Sequence, residues 1–276
     1  MNVAIIGLGL MGGSMALGLK KLDFINKIVG IDHNPQHQKD ALNLQLVEEI
    51  VELDDVKNFD IIILAIPVDG VIALFEKLID VSEHTTIIDL GSTKELIVKS
   101  IPKQIRKNFI PAHPMTGTEN FGPYASVDGL YEDKVVVLCN LEDSGELQVN
   151  NAKKIFKALK MKKYFMDASE HDRHAAFISH MPHAISYSLA NTVMKQEDKH
   201  NILALAAGGF RSMSRLAKSS PYMWEDIFRQ NKKNLLEAIE LFEKELTHLK
   251  QNIENDEWGK VHQDMAEGKK LHEIFS

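Results

Sequence analysis

Three small groups of residues in this 276-residue chain have the types and spacing that do chemistry. The first is Gly7, Gly9 and Gly12 in "GLGLMG", directly after the apolar run "VAII". In such a turn the first glycine permits the tight bend, and the second lets a pyrophosphate approach the backbone. The third lets the following helix close on the strand. The phosphates then sit over Leu10 and Met11 at a helix start, where free N–H groups and the helix dipole favour anions. Asp32 ends the next apolar run, "KIVGID", about 20 residues on, where its carboxylate accepts both ribose hydroxyls. His33, Asn34 and Pro35 follow it and no arginine does, so a 2′-phosphate meets repulsion without compensation. The pattern predicts NAD rather than NADP; an ordinary strand–turn–helix glycine cluster with a capping aspartate is the bland alternative.

The second group lies at the carboxyl ends of the later apolar runs, where open α/β folds bind ligands. "AIPV" puts Ile66 and Pro67 there, and "DLGSTK" puts Ser92 there, facing the nicotinamide region or capping a helix that begins near Thr93. "FIPAHP" delivers His113, confined between Pro111 and Pro114. A dehydrogenase that oxidises an alcohol needs a base for the hydroxyl proton, and histidine titrates nearest neutrality. The strand end, the flanking prolines and the edge shared with the glycine turn favour a base over a structural histidine. The third group is His171, His174, His180 and His183, whose helical spacing suggests a metal cluster. No cysteine accompanies them and hydride transfer requires no metal, so none is expected.

These residues need a scaffold that brings strand ends together. Up to about residue 165, short β-branched runs alternate with helical segments, which predicts a parallel sheet covered on both faces. After Asp167 the apolar residues fall at helical spacing: "HAAFISHMPHAISYSLANTVM", expected to kink at Pro182; "ILALAAGGFRSMSRLA"; and one long helix from near Pro221 carrying Leu235, Ile239, Phe242 and Leu246. Gly208 and Gly209 inside the second suggest close approach of a backbone or ligand. The fold class is therefore α/β, a Rossmann-type doubly wound parallel sheet over residues 1–166 followed by an all-helical domain over 167–276. A net charge of -7 argues against nucleic acid, and no basic block suggests a membrane surface. The longest apolar run, "IIILAIPV", is too short to span a bilayer. Cys139 is the single cysteine, and the chain opens straight into a strand, so a cytoplasmic setting is expected.

"GLGLMGGS", "DLGSTK", "HPMTGTENFGP", "EHDRHAAFISHMPH" and "GGFRSMSRLAKSSPYMWEDI", in that order, resemble the prephenate and arogenate dehydrogenase family of tyrosine biosynthesis. The resemblance implies oxidative decarboxylation of prephenate to 4-hydroxyphenylpyruvate with reduction of NAD, and a homodimer formed through the helical domain. It implies that His113 takes the ring-hydroxyl proton while Ser92 hydrogen-bonds that hydroxyl. It assigns Arg215 to a substrate carboxylate, His183 to substrate contact, and Thr118 and Glu119 to the pocket lining. Ser179 and His180 lie about a turn from His183, and Trp224 matches an aromatic near the site, with a core tryptophan as the alternative. Ser212 stands where the family often has an aspartate three residues before the arginine, so an ionic network of aspartate, glutamate and arginine is expected to be absent or rebuilt. The competing readings are an arogenate dehydrogenase, a 3-hydroxyacid dehydrogenase or imine reductase, and a non-catalytic NAD-binding sensor.

Overall fold

A computed structural model describes residues 1–274. Its strands are β1 (Asn2–Ile6), β2 (Lys27–Ile31), β3 (Glu49–Ile50), β4 (Ile61–Leu64), β5 (Thr86–Asp89), β6 (Phe109–Pro114), β7 (Val135–Cys139) and β8 (Lys162–Met166). They form one sheet in the order β3-β2-β1-β4-β5-β6-β7-β8. Alternate residues of β1 and β4 supply two cores. Val3, Ile5, Ile61 and Ile63 pack with Met15, Ala16 and Leu19 of α1 (Leu10–Leu19) on one face. Ala4, Ile6, Ile62 and Leu64 pack with Val71, Phe75 and Leu78 of α3 (Val68–Leu78) on the other. Two buried faces are what a run of apolar residues without polar alternation requires. Three further helices complete this half: α2 (Pro35–Asn43), α4 (Glu95–Ser100) and α5 (Glu146–Ala158). The strand order reverses between β2-β1 and β4-β5, opening the crevice in which such sheets bind ligands.

One pairing departs from the expected parallel sheet: β7 runs antiparallel to β6, with His113 opposite Val137. A parallel partner requires a crossover, usually a helix. Between β6 and β7 the chain forms only the short 3₁₀ turn Pro123–Ala125, so it returns alongside the strand it left. Pro111 and Pro114 are tolerated because each ends a ladder: Pro111 is the last residue registered on β5, and Pro114 the last on β7.

Strands end with β8, and the chain continues as α6 (Ala168–Ala175), a π turn over Ala176–His180 and α7 (Met181–Met194). The irregularity expected at Pro182 thus falls just before it. Pro182 occupies the opening turn of α7, where its missing N–H is least costly, and the π turn absorbs the register change. The glycine-containing segment is three pieces: α8 (Lys199–Ala204), α9 (Gly208–Ser214) and a 3₁₀ turn over Arg215–Lys218. Gly208 and Gly209 open α9, and a Cβ on either would meet nothing within 4 Å, so no other part of the described chain approaches them closely. The helix expected to run unbroken from Pro221 divides at Asn231, whose backbone leaves helical geometry, into α10 (Pro221–Gln230) and α11 (Lys232–Glu254). Residues Met1–Asn231 form one compact unit. A second begins at Lys232, where α11 and α12 (Trp258–Lys269) pair through Asn252, which donates to Asp264 Oδ2 at 3.0 Å. Among the described residues no helix is long and apolar enough to cross a membrane.

Where β5 ends, Asp89 and Lys94 form an ion pair with both side chains wholly buried. Asp89 Oδ1 also accepts from Gly91 N at 2.6 Å, which folds the "DLGSTK" segment back on itself. Removing one member of such a pair strands a charge in the interior. Lys94→Met is expected to lower unfolding free energy by about 3–5 kcal/mol, read from the urea midpoint. Adding Asp89→Leu, which deletes the second charge, is expected to recover much of that loss.

Candidate active site

The glycine turn follows β1. Gly7 holds φ +96, a conformation costly for other residues, and a Cβ there would lie 2.4 Å from the Ala65 carbonyl and 2.7 Å from Ile66 Cγ2. A Cβ on Gly12 would sit 1.8 Å from the Gly7 carbonyl. A Cβ on Gly9 would meet only Gly122 N, at 4.0 Å, so the space above it is open, as the approach of a phosphate demands. Gly9 also caps α1, whose first amides at Leu10 and Met11 face that opening. Asp32, just past β2, is fixed by Leu8 N at 2.8 Å and Asn34 N at 2.9 Å. Each carboxylate oxygen keeps lone pairs for a ribose diol. Pro67 caps α3 on the neighbouring strand end. Open cradle, amide donors and anchored carboxylate together fit a dinucleotide.

The chain leaving β6 comes back over this turn. Val127 N donates to Ser14 Oγ at 2.9 Å and Tyr131 Oη to the Met11 carbonyl at 2.7 Å. A Cβ on Gly13 would clash with Ser126 Oγ at 2.0 Å. The nearest atoms belong to the side chains of Ser126 and Leu46, so Gly13 packs closely against a segment more than a hundred residues away, without the backbone clash that bars a Cβ at Gly7 and Gly12.

Register sets the second edge. Asp89 of β5 pairs with Pro111 of β6, so Ser92 and His113 leave adjacent strands at the same end of the sheet. Ser92 is partly exposed, and it is not the helix cap: α4 begins at Glu95, and its cap comes from a distant residue. Lys94 N and Glu95 N donate to Asp172 Oδ1 and Oδ2 at 2.8 and 2.9 Å.

His113 is partly buried, and its Nδ1 lies 2.8 Å from His171 Nε2, the two rings steeply inclined at 72°. Burial, followed by the neighbouring charges of His171, Lys94 and His180, holds its pKa well below the ordinary histidine value. The ring is therefore neutral at physiological pH, the form a base requires. His171 Nδ1 lies 2.8 Å from Asp172 Oδ1 with both side chains buried.

The remaining residues divide between the interior and the opening. His180 is 1 % exposed and receives Asn231 Nδ2 at 3.0 Å; the same amide donates to the Asp172 carbonyl at 2.6 Å. His183 Nδ1 donates to the Ser179 carbonyl at 2.9 Å, which leaves Nε2 as an acceptor. Its ring stacks on Trp224 at 3.5 Å, and burial followed by nearby Arg215 lowers its pKa. Trp224 is 6 % exposed and lies beneath His183, and its Nε1–H has no protein acceptor among the described residues. Arg215 sits on the 3₁₀ turn that Ser186 ties to α7, accepting from Ala217 N at 3.0 Å and donating to the Met213 carbonyl at 2.8 Å. Its guanidinium is 58 % exposed and 4.0 Å from Glu119 Oε2. Among the described residues no third ionic group joins this pair, and Ser212 stands where the resemblance implies an aspartate. Thr118 is exposed and accepts from Asn120 N at 3.2 Å.

The histidine series does not converge. His171 faces His113, His180 faces Asn231, His183 faces Ser179, and His174 is exposed. No group of three or more residues suited to a metal occurs among the described residues. Sequence reasoning passed over Asp172, Asn231 and the His171 partnership. The one local sign was the "HD" pair within α6, since each contact spans more than fifty residues.

Comparison with known proteins gives a consistent picture. The family description "Prephenate dehydrogenase, nucleotide-binding domain" matches residues 15–165, and "Prephenate dehydrogenase, dimerization domain" matches 167–267. A prephenate dehydrogenase from Lactococcus lactis is 34% identical over 286 residues, covering 99% of this chain and 77% of the relative. The crystal structure of prephenate dehydrogenase from A. aeolicus, in complex with hydroxyphenyl propionate and NAD+, is 33% identical with a TM-score of 0.93. It aligns over 100% of this chain and 98% of that one. The Synechocystis arogenate dehydrogenase structure is 25% identical with a TM-score of 0.83, and both chains are covered completely.

The buried histidines make stability depend on pH. Burial lowers His180 to about 4 from its unfolded value of 6.5, so the unfolded chain binds the proton more tightly. The contribution is complete above pH 6.5 and is lost as pH falls towards 4, about 3 kcal/mol from this one ring at 1.36 kcal/mol per unit. Urea unfolding at a series of pH values should show that slope, and His180→Gln should flatten it.

Proposed function

The chain belongs to the prephenate dehydrogenase family, and from that premise we propose that it oxidatively decarboxylates prephenate to 4-hydroxyphenylpyruvate. Gly7, Gly9, Leu10, Met11 and Gly12 hold the pyrophosphate of NAD, Asp32 its ribose, and Ile66 and Pro67 line its path along the sheet edge. When bound there, NAD supplies the hydride acceptor. His113 Nε2 takes the proton of the ring hydroxyl as hydride leaves the same carbon, and Ser92 donates to that hydroxyl oxygen and aligns it. The ring carboxylate then departs as carbon dioxide and the ring becomes aromatic, which makes the reaction irreversible.

Arg215 binds a substrate carboxylate, since a guanidinium offers the paired donors a carboxylate accepts. His183 Nε2 and the unpartnered Trp224 Nε1–H contact the side-chain end of the substrate, with Ser179, His180, Thr118 and Glu119 shaping the pocket. The observation that carries the reading is His113: a neutral imidazole at the strand edge it shares with Ser92, anchored through one nitrogen and free at the other.

NAD is preferred over NADP because Asp32 is locked in place by two backbone amides and would repel a 2′-phosphate. Prephenate is preferred because the relative at 34% identity and the structure at 33% are prephenate dehydrogenases. Arogenate is the second reading, supported by Glu119, a carboxylate beside Arg215 that an α-ammonium would seek. A homodimer is supported by the matched dimerization domain and by apolar side chains left exposed on the helical segments, among them Ile178, Leu205, Met213 and Tyr222.

Reduced-cofactor formation measured side by side with prephenate and arogenate, and with NAD and NADP, tests the assignment. The highest kcat/KM is expected for prephenate with NAD, and no turnover of either substrate would refute it. His113→Asn is expected to lower kcat by ~10²–10⁴ without loss of NAD binding, as for a lost general base. Arg215→Ala is expected to raise the KM for prephenate chiefly, and an unaltered KM removes the carboxylate role.

A further inference from the structure

His113 reaches beyond the sheet through one nitrogen only, and what it reaches is a second buried imidazole backed by a carboxylate. Asp172 Oδ1 and Oδ2 take the Lys94 and Glu95 amides, and Oδ1 also lies 2.8 Å from His171 Nδ1. An ionised carboxylate only accepts, so His171 must carry its proton on Nδ1. A neutral imidazole has one N–H, which leaves His171 Nε2 an acceptor, 2.8 Å from His113 Nδ1. His113 in turn must then be protonated on Nδ1, with the lone pair on Nε2.

We infer that His171 and Asp172 are positioning residues that fix His113 as the Nδ1–H tautomer, presenting a bare Nε2 to the proton that the reaction removes. The inference rests on the reading of His113 as the base and names what makes it one. When His113 Nε2 takes the substrate proton, its Nδ1–H remains bonded to His171, and the new positive charge is backed through that imidazole by the Asp172 carboxylate. No proton needs to move along the chain. The same division of labour operates where a buried carboxylate holds a catalytic histidine in one tautomer. The relay is built for constancy. Asp172 is locked by two amides from α4, and its own carbonyl accepts from Asn231. The other charged or titratable groups facing His113 are Lys94, paired with Asp89, and His180, whose Nδ1 is occupied by Asn231. Neither competes for His113 Nδ1.

The test separates tautomer control from packing. In the full-length protein labelled with nitrogen-15 histidine, with His113 assigned by difference against His113→Asn, the expected spectrum shows Nδ1 protonated and Nε2 bare. A dominant Nε2–H form overturns the inference, and because no substrate is needed this result is independent of the proposed reaction. In kinetics, His171→Leu deletes the acceptor and is expected to lower kcat about 10–100-fold, the range for outer partners that orient an imidazole, with the KM for both substrates unmoved. His171→Gln restores an acceptor through Oε1 and is expected to regain most of that kcat. An unchanged kcat in the leucine variant, or equal losses in both, sinks the idea. Should the leucine variant fail to fold, the glutamine variant must then keep a near-wild-type kcat and the spectrum must show a bare Nε2.

Discussion

The carboxylate of Asp172 is the constraint on which the site depends. It lies on the first helix after the sheet, yet it supplies the cap of α4, the helix after β5, through two backbone amides. That one group therefore joins the helical segment to the strand edge, and it does so from a buried position where an unsatisfied carboxylate would be prohibitively costly. Because both oxygens are committed to amides, its orientation is fixed, and so is that of His171 beside it. His113 inherits its direction at second hand.

Around this anchor the sheet and helices divide the work. The sheet supplies position: parallel register brings the ends of β1, β4, β5 and β6 to one edge, so the glycine turn, Pro67, Ser92 and His113 lie along a single line. The helices supply environment. The stacked pair of His183 and Trp224, with Arg215 on its tied turn nearby, brings aromatic, acceptor and cationic groups together. The return of residues 126–131 over α1 ties two parts of the sheet edge together, since the strand that carries His113 continues into the segment packed on the glycine turn.

Much of this was legible in the residues. The apolar runs could only be strands buried on two faces, and the G-x-G-x-x-G turn with Asp32 states its chemistry in local spacing. The misreadings share a cause. Periodicity puts Gly208 and Gly209 inside a helix, and they open one; local sequence suits Ser92 as a cap, and the cap is Asp172; the apolar spacing from Pro221 is unbroken, and the helix breaks at Asn231; β7 is antiparallel. In each case a neighbour remote in sequence, or the lack of one, decided between two locally acceptable options.

Sequence alone determined the strands, the dinucleotide turn, the carboxylate after β2 and the histidine at a strand end, because short-range sterics and periodicity fix these within a few residues. Tertiary structure alone decided which nitrogen of His113 is engaged, which carboxylate stands behind it, that Ser126 lies against Gly13, and that Glu119 meets Arg215. Those outcomes depend on distances between groups 58 to 113 positions apart in the chain. Chain periodicity carries no information about such distances; packing does.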